Sequence, residues 1–136
     1  MAHFDPSGTG VALITPFKNG LIDYEGLSTV IEHVIQGGVE YIVSLGTTGE
    51  ATSLSDPEQN DVIRFTVAKV AGRIPVVAGH FGGNNTAQVC EKLKAFNHNG
   101  VAAILSSSPA YVKPSQEGIY QHYMALANAS PLPLII

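Results

Sequence analysis

The segment from Tyr41 to Glu50 has the composition of a buried strand that runs into a ligand-binding turn. Its apolar part leads directly into Gly46-Thr47-Thr48-Gly49. The glycines allow the backbone to approach a ligand closely. The two threonine hydroxyls and the backbone N–H groups of the turn could hydrogen-bond a small anion such as a carboxylate. A glycine turn with a threonine that caps the next helix fits the same spacing equally well.

Three further polar residues lie where ligands bind in alternating β/α proteins, after the ends of predicted strands. Glu50 follows the threonines, and a charge at the N-terminal side of the next helix is its simpler interpretation. His80 could act as an acid or a base, but it stands alone, and a structural role is the commoner one. Tyr111 follows a serine–proline turn, where its phenol could pass a proton, bind a substrate or pack at a subunit interface.

The remaining reactive residue types form no constellation for cofactor or metal chemistry. None of the lysines, Lys18, Lys69, Lys92, Lys94 and Lys113, falls in a predicted strand. A Schiff-base lysine must be desolvated, so Lys113 in its polar loop is a poor candidate. The single Cys90 excludes an internal disulfide and a cysteine metal site. We find no paired carboxylates, no histidine pair at ligand spacing and no phosphate loop, and we expect no cofactor.

The amino-acid composition limits the classes of protein to which the chain can belong. The 136 residues suit one domain and are 45% hydrophobic, but only 13% are charged. That is about half the usual share of charge, which suggests membership of a larger domain or an oligomer. A net charge of −4 leaves no basic surface for nucleic acid, and no apolar run is long enough to span a bilayer. The first residues lack a secretory pattern, so we expect a cytoplasmic protein.

Continuous apolar runs alternate with helical periodicity along the chain. The runs predict strands at residues 10–15, 39–45, 74–79, 101–105 and from 132 onward. The periodicity predicts helices at 23–35, from 56 to about 70, from 85 to about 96, and at 116–129. The sequence Ser55-Asp56-Pro57-Glu58 is a helix start with a capping box. Strands without polar alternation indicate a parallel sheet that is covered on its outer face.

Two parallel architectures fit this pattern: an open doubly wound sheet and a closed (β/α)8 barrel. The first β–α turn lacks Gly-x-Gly-x-x-Gly, which weakens the dinucleotide-binding form of the open sheet. Units recur about every 30 residues, so eight of them would fill a typical barrel. The chain stops within an apolar run at residues 134–136. We therefore expect residues 1–136 to be the N-terminal half of a single (β/α)8 TIM barrel domain, with about four βα units and the start of a fifth strand.

Several segments, taken together in order and spacing, resemble one known family. They read Gly10-Val11-Ala12-Leu13-Ile14-Thr15-Pro16-Phe17, Gly46-Thr47-Thr48-Gly49-Glu50, Gly72-Arg73-Ile74-Pro75-Val76-Val77-Ala78-Gly79, Gly83-Asn84-Asn85-Thr86-Ala87 and Lys113-Pro114-Ser115-Gln116-Glu117-Gly118-Ile119-Tyr120-Gln121-His122-Tyr123. The chain is similar, from about Gly8 onward, to the dihydrodipicolinate synthase family of pyruvate-dependent class I aldolases. The resemblance implies a (β/α)8 barrel, usually a homotetramer, that condenses pyruvate with aspartate semialdehyde through a lysine Schiff base in diaminopimelate and lysine biosynthesis.

The resemblance also implies roles for three residues. Thr48 corresponds to the residue that binds the pyruvate carboxylate, and Thr47 corresponds to the threonine of a proton relay. Tyr111 matches the relay tyrosine that reaches into a neighbouring subunit's site. The family's catalytic tyrosine would follow Ile136 and its Schiff-base lysine would lie on the next strand. The arginine that helps to place the semialdehyde is likewise not among these residues, so we expect the 136-residue chain alone to be inactive.

Three positions bear on feedback inhibition by lysine, which many members of the family show. Asn84 matches a common lysine ligand. Gln88 stands where many members carry glutamate, and Ala110 replaces a frequent tyrosine. Loss of the acid should weaken the binding of a cationic ligand, so the resemblance predicts weakened inhibition by lysine.

Two other functions remain open. The first is a sialic acid lyase or another 2-keto acid aldolase of the same superfamily. The second threonine of the turn favours the synthase, since sialic acid lyases tend to carry serine–threonine there. The second alternative is a non-catalytic half-barrel that serves as an interaction module, because its open sheet edges would promote association.

Overall fold

The computed structural model describes residues 4–136, in which one parallel sheet carries helices on one face. Residues 1–3 lie outside the described range. They are part of the N-terminal segment in which we found no secretory pattern. The strands are β1 (Gly10–Ala12), β2 (Phe17–Lys18), β3 (Leu21–Ile22), β4 (Tyr41–Ser44), β5 (Val76–Ala78), β6 (Ala103–Leu105) and β7 (Leu134–Ile135). The helices are α1 (Tyr24–Gln36), α2 (Asp56–Val70), α3 (Thr86–Ala95) and α4 (Gln116–Ala129). Two 3-10 turns, Thr47–Gly49 and Ala51–Ser53, follow β4.

The strand order of the sheet distinguishes between the two architectures that the sequence left open. The order is β1-β4-β5-β6-β7, and every neighbouring pair is parallel. In a doubly wound sheet the order reverses at a switch point, whereas here the five strands of the sheet lie side by side in the order in which they occur along the chain. This progression in one direction is that of a barrel, with four βα units and the start of a fifth strand, as predicted.

A short hairpin between β1 and α1 was not predicted. β2 and β3 pair antiparallel, with Phe17 opposite Ile22. The two residues between them, Asn19 and Gly20, have φ values of 54° and 77°. Asn-Gly is the strongest short signal for a two-residue hairpin turn of this left-handed kind. The hairpin also corrects the expectation that no lysine lies in a strand, because Lys18 is part of β2.

The helix starts confirm the capping motifs of the sequence. The backbone N–H of Ser55 donates to Glu58 Oε2 at 2.9 Å, which is the reciprocal bond of a capping box at the start of α2. Asn85 Oδ1 accepts the Gln88 N–H at 3.2 Å and caps α3. The helix predicted at 116–129 has those bounds in the structure. These local motifs set where the turns at the sheet edge give way to helices.

Alternation along the strands divides the core into two layers. Ile42, Val76 and Ile104 face the helices and pack in the main cluster with residues such as Leu27. Val77, Ala103 and their neighbours lie on the other, concave side, where they form a second cluster with Phe4 and Tyr41. Both sides of the sheet are therefore apolar, which explains the continuous apolar runs.

Polar contacts tie neighbouring helices together across the outer face. Arg73 forms a bidentate pair with Glu32, at 2.8 and 2.9 Å, and Lys69 lies 3.0 Å from the same carboxylate. This pairing lowers the pKa of Glu32 to about 2. Thr86 Oγ1 and His122 Nδ1 are 2.8 Å apart between α3 and α4. Among residues 4–136, no helix is long and apolar enough to cross a lipid bilayer.

Candidate functional site

The carboxyl ends of β4, β5 and β6 meet at one edge of the sheet, where polar turns follow each strand. The Gly79 N–H donates to Ser44 O at 2.8 Å, which holds the ends of β4 and β5 together. A Cβ on Gly79 would lie 2.8 Å from Gly46 N and 2.9 Å from Gly46 Cα. Only glycine permits this approach of two backbones. The turn that carries the threonines therefore lies in direct contact with the end of β5.

The threonine turn is held in an unusual backbone conformation. Leu45, just before the turn, is 1% exposed and has a φ of 60°. Glu50, just after it, is exposed and has a φ of 55°. Residues other than glycine rarely adopt such φ values, and these values persist where the surrounding structure imposes them. One determinant is the buried hydroxyl of Thr15, which donates to Gly49 O at 2.7 Å.

A cavity of about 370 Å³ opens beside this turn. Its walls come from all three strand ends and include Thr47, His80, Asn84, Lys92 and Ser108. The lining is thus rich in hydroxyls and amides and contains one ammonium group. A larger cavity of about 470 Å³ lies between α2 and α3, and none of the site residues predicted from the sequence lines it.

The structure places only one of the three predicted site residues at this cavity. Thr47 lines the cavity, whereas Thr48 is exposed in the same turn and is not part of the lining. The Gly49 and Glu50 N–H groups bond within the turn, to Gly46 O and Thr47 O, so these two donors are not available to a ligand. Tyr111 is 98% exposed, with a φ of 69°, and also lies outside the cavity.

His80 has the environment of a structural side chain. It is 6% exposed and its ring lies 5.3 Å from that of Phe96, edge to face. Burial lowers its pKa to about 3, and the nearby Lys92 charge acts in the same direction. Neither ring nitrogen has a hydrogen-bond partner within residues 4–136. The imidazole is neutral at physiological pH and does not act as a general acid there.

A polar contact between α2 and α3 borders the same cavity and was not predicted. Lys92 Nζ lies 2.8 Å from Asp56 Oδ1 and 2.6 Å from Gln59 Oε1. The hydrogen bond from Lys92 lowers the pKa of Asp56. Gln59 Nε2 in turn donates to Ala51 O at 2.7 Å and to Leu54 O at 3.2 Å. Sequence offers no signal for this contact, because its partners lie on different helices.

Side-chain hydrogen bonds also order the loop that leads to Tyr111. Asn84 Oδ1 accepts the Ala110 N–H at 2.8 Å. Ser108 Oγ and Tyr123 Oη are 2.9 Å apart, so α4 holds the loop from its other side. The residue that matched a lysine ligand, Asn84, therefore has a structural bond to the segment beside Tyr111.

The lysines and acidic residues of the described range, 4–136, form no metal site and present no obvious amine nucleophile. Within the described part of the chain, no group of three or more His, Cys, Asp or Glu side chains lies close enough to hold a metal ion. Lys69 and Lys92 are engaged by carboxylates, and Lys18, Lys94 and Lys113 are exposed.

A parallel sheet in chain order, with helices on one face and polar turns at the carboxyl ends of its strands, defines the class of (β/α)8-barrel proteins. Proteins of this class build their active sites at that edge. The chain belongs to the dihydrodipicolinate synthetase family, whose model matches residues 5–136.

Individual relatives agree with this assignment. A 4-hydroxy-tetrahydrodipicolinate synthase from Parabacteroides distasonis is 51% identical over the whole chain. The crystal structure of the dihydrodipicolinate synthase from Aquifex aeolicus is 42% identical and superposes with a TM-score of 0.87 over 95% of the chain. A chloride-inhibited dihydrodipicolinate synthase from Acinetobacter baumannii, complexed with pyruvate, is 44% identical over 93% of the chain with a TM-score of 0.87.

The chain spans less than half the length of these relatives. It covers 46% of the Parabacteroides protein and 44% of each of the two solved chains. Its five-stranded sheet matches the N-terminal part of their barrels, which confirms the fold predicted from the sequence.

Proposed function

We propose that this chain is the N-terminal part of a single barrel domain in a 4-hydroxy-tetrahydrodipicolinate synthase. The intact enzyme is a cytoplasmic lyase that condenses pyruvate with aspartate semialdehyde through a lysine Schiff base, in lysine and diaminopimelate biosynthesis. The observation that carries the proposal is the exposed Thr47–Thr48 pair at the carboxyl edge of the sheet, next to a polar cavity. The pyruvate bound to the Acinetobacter relative supports the same substrate.

The two threonines and Tyr111 have two distinct roles in the proposed reaction. The Thr48 hydroxyl donates a hydrogen bond to the pyruvate carboxylate. Because the hydroxyl is neutral, it adds no charge of its own to the site. Thr47 and Tyr111 pass a proton between substrate and solvent. Tyr111 is 98% exposed and outside the cavity, which suits a side chain that completes the site of a neighbouring copy. A homotetramer is the assembly that we propose.

The amine nucleophile comes from a later strand of the intact barrel. A Schiff base requires an amine that is free to attack a carbonyl, and the half-buried Lys92 is instead bound to Asp56 and Gln59. The 136-residue chain alone therefore has no synthase activity. Incubation with pyruvate and borohydride, followed by mass spectrometry, tests this, since the chain should gain no mass. A stable pyruvate adduct on any of its lysines would contradict the proposal.

Inhibition by lysine is weakened in this enzyme. Lys92 lines the same cavity as Asn84, and its pairing with Asp56 leaves no free negative charge there, among the described residues, for a cationic ligand. Gln88, near Asn84, is neutral and supplies no compensating charge. The lysine concentration for half-inhibition of the full-length enzyme should fall on Gln88→Glu substitution, and an unchanged value would contradict this part of the proposal.

The full-length reading frame tests the carboxylate contact directly. Thr48→Val removes the hydroxyl and should raise the KM for pyruvate roughly 10- to 100-fold, as expected for loss of a hydrogen bond to a charged group. Thr48→Ser keeps the hydroxyl and should remain close to the wild type. Thr29→Val is the matched control, because Thr29 lies on α1 and its hydroxyl bonds only to Glu25 O. Cleavage of sialic acid by the wild type, without synthase activity, would overturn the proposed function.

A further inference from the structure

The buried Gln59 amide has hydrogen-bond partners on both of its polar atoms, and two of these partners lie in the segment after the threonine turn. Gln59 is 7% exposed. Its Nε2 donates to Ala51 O at 2.7 Å and to Leu54 O at 3.2 Å, and its Oε1 accepts from Lys92 Nζ at 2.6 Å. Ala51 begins the second 3-10 turn, and only Glu50 separates that turn from Thr47–Gly49. The amide therefore holds the segment that continues directly from the threonines.

Two buried side chains hold the C-terminal end of the threonine turn and the residues that follow it. Thr15 donates to Gly49 O, and Gln59 donates to Ala51 O two residues later. Between these two anchors lies Glu50, with its left-handed φ of 55°. A conformation of this kind reverts to a lower-energy one when its external bonds are removed. Loss of the Gln59 bonds would therefore let the turn move relative to the cavity.

Lys92 and the two carbonyl groups together fix which way the Gln59 amide points. An ammonium group can only donate hydrogen bonds, so it must face the amide oxygen. The NH2 group is then directed at the two carbonyl groups. Asp56, 2.8 Å from Nζ, balances the charge of the lysine. Through this contact, the packing of α2 against α3 affects the position of the segment that follows the threonines.

We propose that Gln59, oriented in part by Lys92, is a positioning residue that places the Thr47–Thr48 turn for the pyruvate carboxylate. The inference rests on the proposed function and adds a residue that acts through the turn rather than on the substrate. A carboxylate at position 59 is the sharpest perturbation. It would still accept from Lys92, but it could not donate to the two carbonyl groups and would repel them.

The experiment uses the full-length enzyme with the variants Gln59→Glu and Lys92→Met. Gln121→Glu is the matched control, because it makes the same change on α4, where Gln121 bonds only to Glu117. Gln59→Glu should raise the KM for pyruvate about tenfold or more, the effect of a misplaced hydrogen bond. Lys92→Met should raise it about threefold, because the amide keeps its bonds to the two carbonyl groups but loses the bond to its oxygen. The KM for aspartate semialdehyde should change in neither variant, a separation that general loss of structure would not produce.

Borohydride trapping at a series of pyruvate concentrations supplies a second readout that does not depend on turnover. Half-maximal trapping should shift with the KM for pyruvate in both variants. If Gln59→Glu does not fold, Lys92→Met decides alone. A pyruvate KM equal to that of Gln121→Glu in the folded variants overturns the positioning role and leaves the proposed function intact. Absence of any pyruvate adduct on the wild-type enzyme overturns the proposed function and this inference with it.

Discussion

Replacing Gly79 with alanine should force apart the ends of β4 and β5. The added Cβ would lie 2.8 Å from Gly46 N, 2.9 Å from Gly46 Cα and 3.1 Å from the carbonyl carbon of Leu45. Favourable contacts between heavy atoms occur at about 3.5–4.0 Å, so the two backbones would have to separate by several tenths of an ångström or more. All three atoms belong to the backbone, and no side chain can rotate to relieve the overlap.

The magnitude follows from the two effects of that separation. Overpacking of a tight core costs about 1–3 kcal/mol. The 2.8 Å hydrogen bond from Gly79 N–H to Ser44 O would stretch as well, and such a bond contributes about 1 kcal/mol. The free energy of unfolding should therefore fall by roughly 2–4 kcal/mol.

Urea unfolding of the purified full-length protein, followed by circular dichroism, measures this effect. Gly46→Ala is the matched control, because Gly46 has an ordinary φ of −71° and its added Cβ would meet only Val43 Cγ1, at 3.8 Å. That control should unfold at the wild-type midpoint or slightly above it, since alanine restricts the unfolded chain. Equal midpoints for Gly79→Ala and Gly46→Ala would show that the two backbones are not in close contact.

Two further predictions concern the pH dependence of stability. The pKa of His80 is lowered from 6.5 to about 3. Below about pH 6.5 the unfolded chain therefore binds a proton that the folded chain does not bind, and the free energy of unfolding decreases as the pH is lowered. The melting temperature of His80→Phe should therefore rise relative to the wild type between pH 8 and pH 5, and a constant difference would contradict burial of a neutral ring. The pKa of Glu32 is lowered from 4.5 to about 2, so its stabilising pairing is complete above about pH 4.5 and is lost as the pH falls towards 2. The advantage of the wild type over Glu32→Gln should shrink between pH 5 and pH 3, and an advantage that does not depend on pH would argue against the ion pair with Arg73.

Much of the fold could be predicted because its signals are local. The helix starts at Ser55 and Asn85 depend on bonds within three residues, and the structure contains both. Predicted strands were longer than observed because the apolar run continues beyond the paired residues. Leu13, for example, lies outside β1 and still donates to Val43 O at 2.9 Å. The Asn19-Gly20 hairpin also had a local signal, which the prediction overlooked.

The site could be predicted only in part, for a physical reason. Thr47 follows a buried strand, and the geometry of parallel sheets is enough to place it at the correct edge. Gln59 and Lys92 meet across two helices, and no spacing along the chain encodes that contact. The roles of Thr47, Thr48 and Tyr111 in binding and proton transfer stay predictions.

The order of the strands has a consequence for how the protein is made. Each strand of the main sheet pairs with the preceding strand of that same sheet, which is synthesised about 30 residues earlier. At the roughly 5–20 residues per second of ribosomal synthesis, each new strand emerges a few seconds after its partner. Every addition therefore extends an edge that already exists, and no strand must be inserted between two that have already paired. The sheet can grow at the pace of translation, from its N-terminal edge outward.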